Sequence, residues 1–139
     1  MSIETLGRTS RTKPRITLST DDYDRLSALA DAAMTNMPEL AAELADEIGR
    51  AHVVEAGRRP QQVVGMHSDV EFRDEGSGKV QRLTLVYPED ADIRQRRLSV
   101  LTPVGTALIG VRVGDSIGWE TPSGQIRRLT VLSVRDPQT

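Results

Sequence analysis

The sequence predicts an α+β fold: a short N-terminal antiparallel helical hairpin (coiled coil), followed by an antiparallel β-sheet domain with one short helix. Apolar residues recur at steps of three and four up to about residue 56, and from about residue 63 they alternate with polar ones. Glycine and proline clusters separate the alternating runs, as turns do between strands. We therefore expect a flexible tail over residues 1–15, the hairpin over 16–58 and the sheet domain over 59–139.

Composition limits the classes of function. A chain of 139 residues with 37% hydrophobic residues supports one modest core. The absence of cysteine excludes disulfides, a thiolate nucleophile and cysteine-based zinc sites. His52 and His67 have no partners at ligand spacing, so we expect no metal and no cofactor. Without an apolar leader or a membrane-length apolar run, the expected location is the cytoplasm.

Charge is distributed unevenly along the chain. Residues 16–56 carry nine acidic side chains against two arginines, whereas residues 57–139 carry twelve basic side chains against ten acidic ones. This asymmetry is typical of two parts that face different surroundings. A solvated acidic helix face explains the first segment equally well.

The first helix has clear start signals. Ser19 and Thr20 are candidate N-caps, and Ser19 with Asp22 has the spacing of a capping box. Acidic residues follow in the first turn, where they favour the positive end of the helix dipole. The expected apolar face consists of Tyr23, Leu26, Leu29, Ala30 and Ala33.

A turn at Asn36 and Pro38 separates this helix from a second one, which Pro38 begins. The second apolar stripe continues until Gly57 and Pro60, which predicts helices of about 14 and 18 residues. That stripe consists of Leu40, Leu44, Ile48 and Ala51. Close approach of the two helices is expected at Ala30, Ala33, Ala41 and Ala45.

The later part predicts strands. Asp69–Arg73 and Lys79–Tyr87 form an expected hairpin, residues 96–102 a third strand, and residues 116–134 a second hairpin with its turn at 122–124. Between them, Pro103 can begin a short helix that Gly110 ends. A tight turn at residues 114–115 then leads into the next strand.

The stretch LTPVGTALIGVRVGD, residues 101–115, resembles the C-terminal domain of the bacterial Gre transcript-cleavage factors. The shared positions are Thr102 (where the Gre pattern has Ser), Pro103, Val104, Gly105, Ala107, Leu108, Ile109, Gly110, Val113, Gly114 and Asp115. The predicted hairpin is about half as long as in Gre factors. A short hairpin on this domain is similar to the Rnk family, whose members are named regulators of nucleoside diphosphate kinase. The resemblance covers roughly residues 16–135 and implies an FKBP-like C-terminal domain.

The resemblance implies that the protein is a non-enzymatic, monomeric modulator of transcription elongation that binds RNA polymerase. Carried over to this chain, the contacts with the rim of the polymerase secondary channel are Thr102, Pro103, Val104 and Gly105. A rigid proline turn with small neighbours can be approached closely at little entropic cost. The alternative is that Pro103 and the glycines only shape the connection between strands.

The predicted hairpin tip lacks the acidic spacing by which Gre factors direct the polymerase magnesium ion. Asp31 lies about a turn below the tip, and Glu39 opens the second helix. We therefore expect competition with Gre factors without stimulation of cleavage. Candidate tip contacts are Met34, Asn36, Met37 and Glu39, although the methionines could equally close the loop against the helices.

Alternative functions are an active cleavage factor that uses Asp31 and Glu39, and a direct regulator of nucleoside diphosphate kinase. Weak DNA or RNA binding has some support in the clustered arginines at 94–97 and 127–128, but neighbouring arginines on a strand point to opposite faces. Prolyl isomerase activity is disfavoured because this region holds too few aromatic residues to line the required pocket.

Overall fold

The computed structural model describes residues 16–55, 62–121 and 123–135. The expected tail at 1–15, the helix-ending signals Gly57 and Pro60, and Pro122 lie outside these ranges. In the described part, no helix is long and apolar enough to cross a membrane.

Helix α1 spans Thr20–Ala33, as the start signals predict. The Ser19 side chain accepts a hydrogen bond from the backbone N–H of Asp22 at 3.2 Å, which satisfies one of the free donors of the first turn. Leu26, Ala30 and Ala33 are buried on the predicted apolar face. The sequence therefore predicted both the start and the buried face of this helix.

Helix α2 spans Pro38–Gly49, and its 12 residues are fewer than the 18 expected. The helix ends at Gly49, and residues 52–54 form a strand instead. That strand, β2 (His52–Val54), pairs in parallel with β1 (Thr17–Ser19), and the His52 N–H donates to the Ile16 carbonyl at 2.8 Å. Ala51 consequently lies outside the helix.

The two helices pack through fewer alanines than expected. Ala30, Ala33 and Ala41 are buried, whereas Ala45 is exposed, so its predicted place in the helix contact is wrong. Ala45 follows the buried Leu44 by one residue, a step of about 100° that turns its side chain away from the core.

The main sheet has five strands in the spatial order β5-β4-β3-β7-β6. Their ranges are β3 Asp69–Asp74, β4 Val80–Val86, β5 Arg97–Ser99, β6 Ser116–Glu120 and β7 Ile126–Arg135. Both predicted hairpins, β3–β4 and β6–β7, are present and antiparallel. Helix α3, Pro103–Leu108, is the predicted short helix, and Gly110 follows it with φ of +83°.

The prediction of a wholly antiparallel sheet is wrong at β5, which runs parallel to β4. After β4, the chain passes through a 3₁₀ turn at Pro88–Asp90 and comes back to the level of Thr84 before β5 begins. An antiparallel β5 would follow β4 through a short hairpin turn. Here the ten residues between the two strands carry the chain back along β4, so that β5 runs in the same direction as β4.

Helices and sheet share one hydrophobic core. Leu26 and Leu44 from the hairpin belong to the same buried cluster as Leu85 and Leu129 from the sheet. Strand β1, which the sequence analysis missed, joins the two sides, because Leu18 and the adjoining Ile16 are almost fully buried in this cluster.

Gly110 permits the closest approach in this core. A Cβ atom placed on Gly110 would lie 1.7 Å from Cγ2 of Ile16, and the φ of +83° disfavours any other residue. The Gly110 N–H donates to the Val64 carbonyl at 2.8 Å, so the backbone cannot retreat without losing a hydrogen bond.

We predict that Gly110→Ala lowers the free energy of unfolding by about 3 kcal/mol or more, because it combines left-handed strain with a steric overlap. Gly114→Ala is the matched control: its φ is +95° and no atom lies within 4 Å of the added carbon, so we expect a loss of about 1 kcal/mol. Urea denaturation measures both values. Equal losses of unfolding free energy in the two variants would show that Ile16 moves aside and that the overlap itself costs no stability.

Candidate functional site

The Pro103 turn, defined as residues 99–106, is stabilised from within. The Thr102 hydroxyl donates to the Ser99 carbonyl and accepts from the Gly105 N–H, both at 2.9 Å. The buried Thr106 hydroxyl donates to the Val100 carbonyl at 2.8 Å. These bonds hold the end of β5 against the first turn of α3.

Gly105 is buried and brings two backbone segments together. An added Cβ would lie 2.4 Å from the Ser99 carbonyl oxygen and 2.8 Å from Cα of Val100. The residue therefore acts on the shape of the turn, and it presents no side chain to a partner.

The four predicted polymerase contacts thus have different surroundings. Pro103 is exposed, Thr102 and Val104 are half-buried, and Gly105 is buried. Val104 packs against the core with part of its surface. Pro103 is the exposed residue of the turn, and Ser99, Leu101, Thr102 and Val104 are partly accessible beside it.

We predict that Thr102→Val lowers the free energy of unfolding by about 1 kcal/mol, because the isosteric side chain cannot cap α3. Thr102→Ser keeps the hydroxyl and should remain within a few tenths of a kcal/mol of the wild type. Thermal denaturation compares the three proteins. A Thr102→Val variant as stable as the serine variant would mean that the hydroxyl is not needed for the fold.

The hairpin tip is accessible. Met34 and Met37 are 49% and 42% exposed, and Asn36 and Glu39 are also exposed. The Met37 N–H donates to the Ala33 carbonyl at 2.7 Å, which keeps the connection short. Of the two interpretations of the methionines, this exposure favours a contact surface over closure of the loop.

The carboxylates near the tip are dispersed. Asp31 lies in the last turn of α1 and Glu39 in the first turn of α2, and both are exposed. Among the described residues, no group of three or more His, Asp or Glu side chains is placed to hold a metal ion.

Glu43 on α2 lies in surroundings that disfavour its charged form. Partial burial raises its pKa, and the carboxylates of Glu39 and Glu47, one helical turn away on either side, raise it further. A raised pKa in the folded state means that ionisation of Glu43 opposes folding, so this cost appears as the pH rises through and above about 4.5.

We predict that Glu43→Gln increases the free energy of unfolding at pH 7 by about 0.5 kcal/mol, the scale of like-charge repulsion along a helix. The gain should disappear below about pH 4, where the wild-type carboxyl is protonated in both states. Thermal denaturation at the two pH values measures the difference, with the exposed Glu55→Gln as control. A gain that is the same at both pH values would contradict an electrostatic cause.

A polar junction that the sequence analysis missed ties α1 to the sheet. The Tyr87 hydroxyl donates to the Asp22 carboxylate at 2.7 Å, and the Arg25 guanidinium lies 3.9 Å from the centre of the Tyr87 ring. Arg25 also pairs with Glu89. Burial and the Asp22 carboxylate raise the pKa of Tyr87. Tyr87 and Asp22 are 65 residues apart, and no local pattern connects them.

Arg127 and Arg128, two of the arginines considered for nucleic-acid binding, do not share one face of the sheet. Arg127 pairs with Asp74 at 2.7 Å, whereas Arg128 lies on the other face of β7, opposite Gly118. His67 packs edge-on against Tyr87, and His52 is exposed in β2.

Two family models match the chain. The model of the Rnk N-terminus matches residues 14–54, and the model for "Transcription elongation factor, GreA/GreB, C-term" matches residues 59–136. The chain belongs to the Rnk family, because the Rnk N-terminal model matches its helical part and a regulator of nucleoside diphosphate kinase that is 40% identical covers 88% of its length. This confirms the resemblance drawn from residues 101–115 and the short hairpin.

Individual relatives agree with the Rnk assignment. The chain is 40% identical to the Escherichia coli K12 "Regulator of nucleoside diphosphate kinase" over 88% of its length and 90% of the relative. It is 33% identical to the "Transcription inhibitor protein Gfh1" of Thermus aquaticus, over 77% of this chain and 69% of that protein.

A solved structure agrees with the fold. The GreA/GreB elongation factor from Nitrosomonas europaea is similar with a TM-score of 0.75 and 40% identity, covering 88% of this chain and 99% of that one. The mixed α+β architecture is therefore GreA/GreB-like, while the more detailed FKBP-like and coiled-coil descriptions stay predictions.

Proposed function

We propose that this Rnk-family protein is a non-enzymatic modulator of transcription elongation that binds RNA polymerase at the rim of its secondary channel through the Pro103 turn. It competes there with Gre factors and does not stimulate transcript cleavage. The observation that carries the proposal is the exposure of Pro103 on a turn whose polar side chains are already hydrogen-bonded within the protein.

The geometry of the Pro103 turn suits protein binding. Because Thr102 and Gly105 fix the backbone from inside, little conformational entropy remains to be lost when a partner covers Pro103. The contact is apolar and small, so binding also requires surface outside this turn.

The short hairpin supports a protein that occupies the secondary channel without stimulating transcript cleavage. At 1.5 Å per residue, the 14 residues of α1 and 12 of α2 give helices about 21 and 18 Å long. Asp31 and Glu39 flank the tip on different helices, and each is explained as an exposed helix residue. A relative named a transcription inhibitor supports this mode of action among similar chains.

We predict that the wild-type protein binds RNA polymerase core saturably, that a Gre factor displaces it, and that Pro103→Ala weakens binding about tenfold, which corresponds to about 1.4 kcal/mol. Fluorescence anisotropy with a labelled protein measures these affinities. Val80→Ala, which truncates a 53% exposed apolar residue on β4, is the matched control and should bind as the wild type does.

Equal affinity of Pro103→Ala and wild type, with both folded, would contradict the docking site.

A backtracked elongation complex then tests the mode of action. Cleavage that the wild type stimulates and that the double variant Asp31→Asn, Glu39→Gln abolishes would establish an active cleavage factor instead. Binding to purified nucleoside diphosphate kinase without binding to polymerase would establish direct kinase regulation, which the name of the Escherichia coli relative favours.

A further inference from the structure

A second turn beside β5 is ordered and strongly exposed. This Ile93 turn, defined as residues 92–97, is closed by two backbone hydrogen bonds of 2.9 Å between Asp92 and Arg97. The Asp92 carboxylate also accepts from the Arg94 N–H at 3.0 Å. Arg96 has φ of +58°, a conformation that a non-glycine residue keeps only where its surroundings enforce it.

Ile93 is the second residue of this turn and is 92% exposed. The other large apolar residues that are exposed in the described part range from 40% to 60%. A fully hydrated aliphatic side chain contributes nothing to the core, so the fold does not explain the presence of isoleucine here.

Three arginines belong to the same turn as Ile93. Arg94, Arg96 and Arg97 are all exposed, and within the described part of the chain none of them forms an ion pair. Asp92 is engaged in closing the turn. The turn therefore combines an exposed apolar side chain with three exposed, positively charged residues.

The Ile93 turn and the Pro103 turn belong to the same edge of the sheet. Strand β5, Arg97–Ser99, leads directly from one turn into the other and has a length of about 10 Å at 3.3 Å per residue. Strand β5 is the last strand on this side of the sheet. One partner lying along this edge can contact both turns.

We propose that the Ile93 turn is a second docking point for RNA polymerase, where Ile93 enters an apolar pocket rimmed by carboxylates. This inference rests on the proposed function and identifies the chemistry of the polymerase surface. The arginine side chains complement the acidic rim, and Ile93 supplies the buried apolar contact that interfaces need at their centre.

Nucleic acid fits the turn less well than an acidic protein surface does. A phosphate backbone would satisfy the arginines but offers no pocket for Ile93, and residues 92–97 contain no aromatic side chain on which a base could stack. A second copy of the chain would offer its acidic hairpin and its exposed Met34 and Met37 to this turn. Such a head-to-tail contact adds copy after copy and forms an open filament unless the copies close into a ring.

The test compares the affinity of polymerase core for the wild type, Ile93→Ser, Val80→Ser as matched control, and Pro103→Ala. We expect Ile93→Ser to weaken binding about tenfold without changing the melting temperature, whereas Val80→Ser leaves the affinity unchanged. Arg94→Gln combined with Arg97→Gln should reduce the dependence of binding on salt, because screening acts on these charges.

Wild-type affinity in Ile93→Ser, with weakened binding in Pro103→Ala, would overturn this inference and leave the proposed function standing. A wild-type protein that does not bind polymerase would overturn the proposed function first. Two further results would also overturn the inference. One is binding of a single-stranded RNA oligonucleotide that depends on the arginines and not on Ile93. The other is self-association in sedimentation experiments that Ile93→Ser abolishes.

Discussion

The contact between Ile16 and Gly110 is the constraint on which the arrangement of this protein depends. Because Gly110 has no side chain, the backbone after α3 can lie directly against Ile16, which begins the segment that becomes β1. Ile16 then accepts a hydrogen bond from His52, the first residue of β2. The start and the end of the helical hairpin are thus tied to the sheet at one place.

This packing gives the two charged surfaces fixed relative positions. The helical hairpin and the main sheet contribute to one hydrophobic cluster, and the junction of Tyr87 with Asp22 and Arg25 joins α1 to the residue that follows β4. The groups of this partly exposed junction are paired with one another, so it adds to the contact between α1 and the sheet. A partner that binds the edge at β5 therefore meets the hairpin in a defined orientation.

The Pro103 turn shows how structural and functional roles are divided among adjacent residues. Thr102 and Gly105 are accounted for by a helix cap and a close backbone approach, which leaves Pro103 and part of Val104 to a partner. This division explains why the sequence of the Pro103 turn shows no sign of a chemical function. Its polar side chains are hydrogen-bonded within the turn, and its exposed residue is the apolar Pro103.

The sequence by itself determined the elements whose signals are local: the cap at Ser19, the start of α2 at Pro38, both β-hairpins, and α3 between Pro103 and Gly110. It also identified the Pro103 turn as the candidate site, through the resemblance. Tertiary structure alone decided the short β1–β2 pair, the parallel direction of β5 and the exposure of Ile93. These features depend on hydrogen bonds and packing between residues that are distant in the chain, and a local hydrophobic pattern contains no information about such contacts.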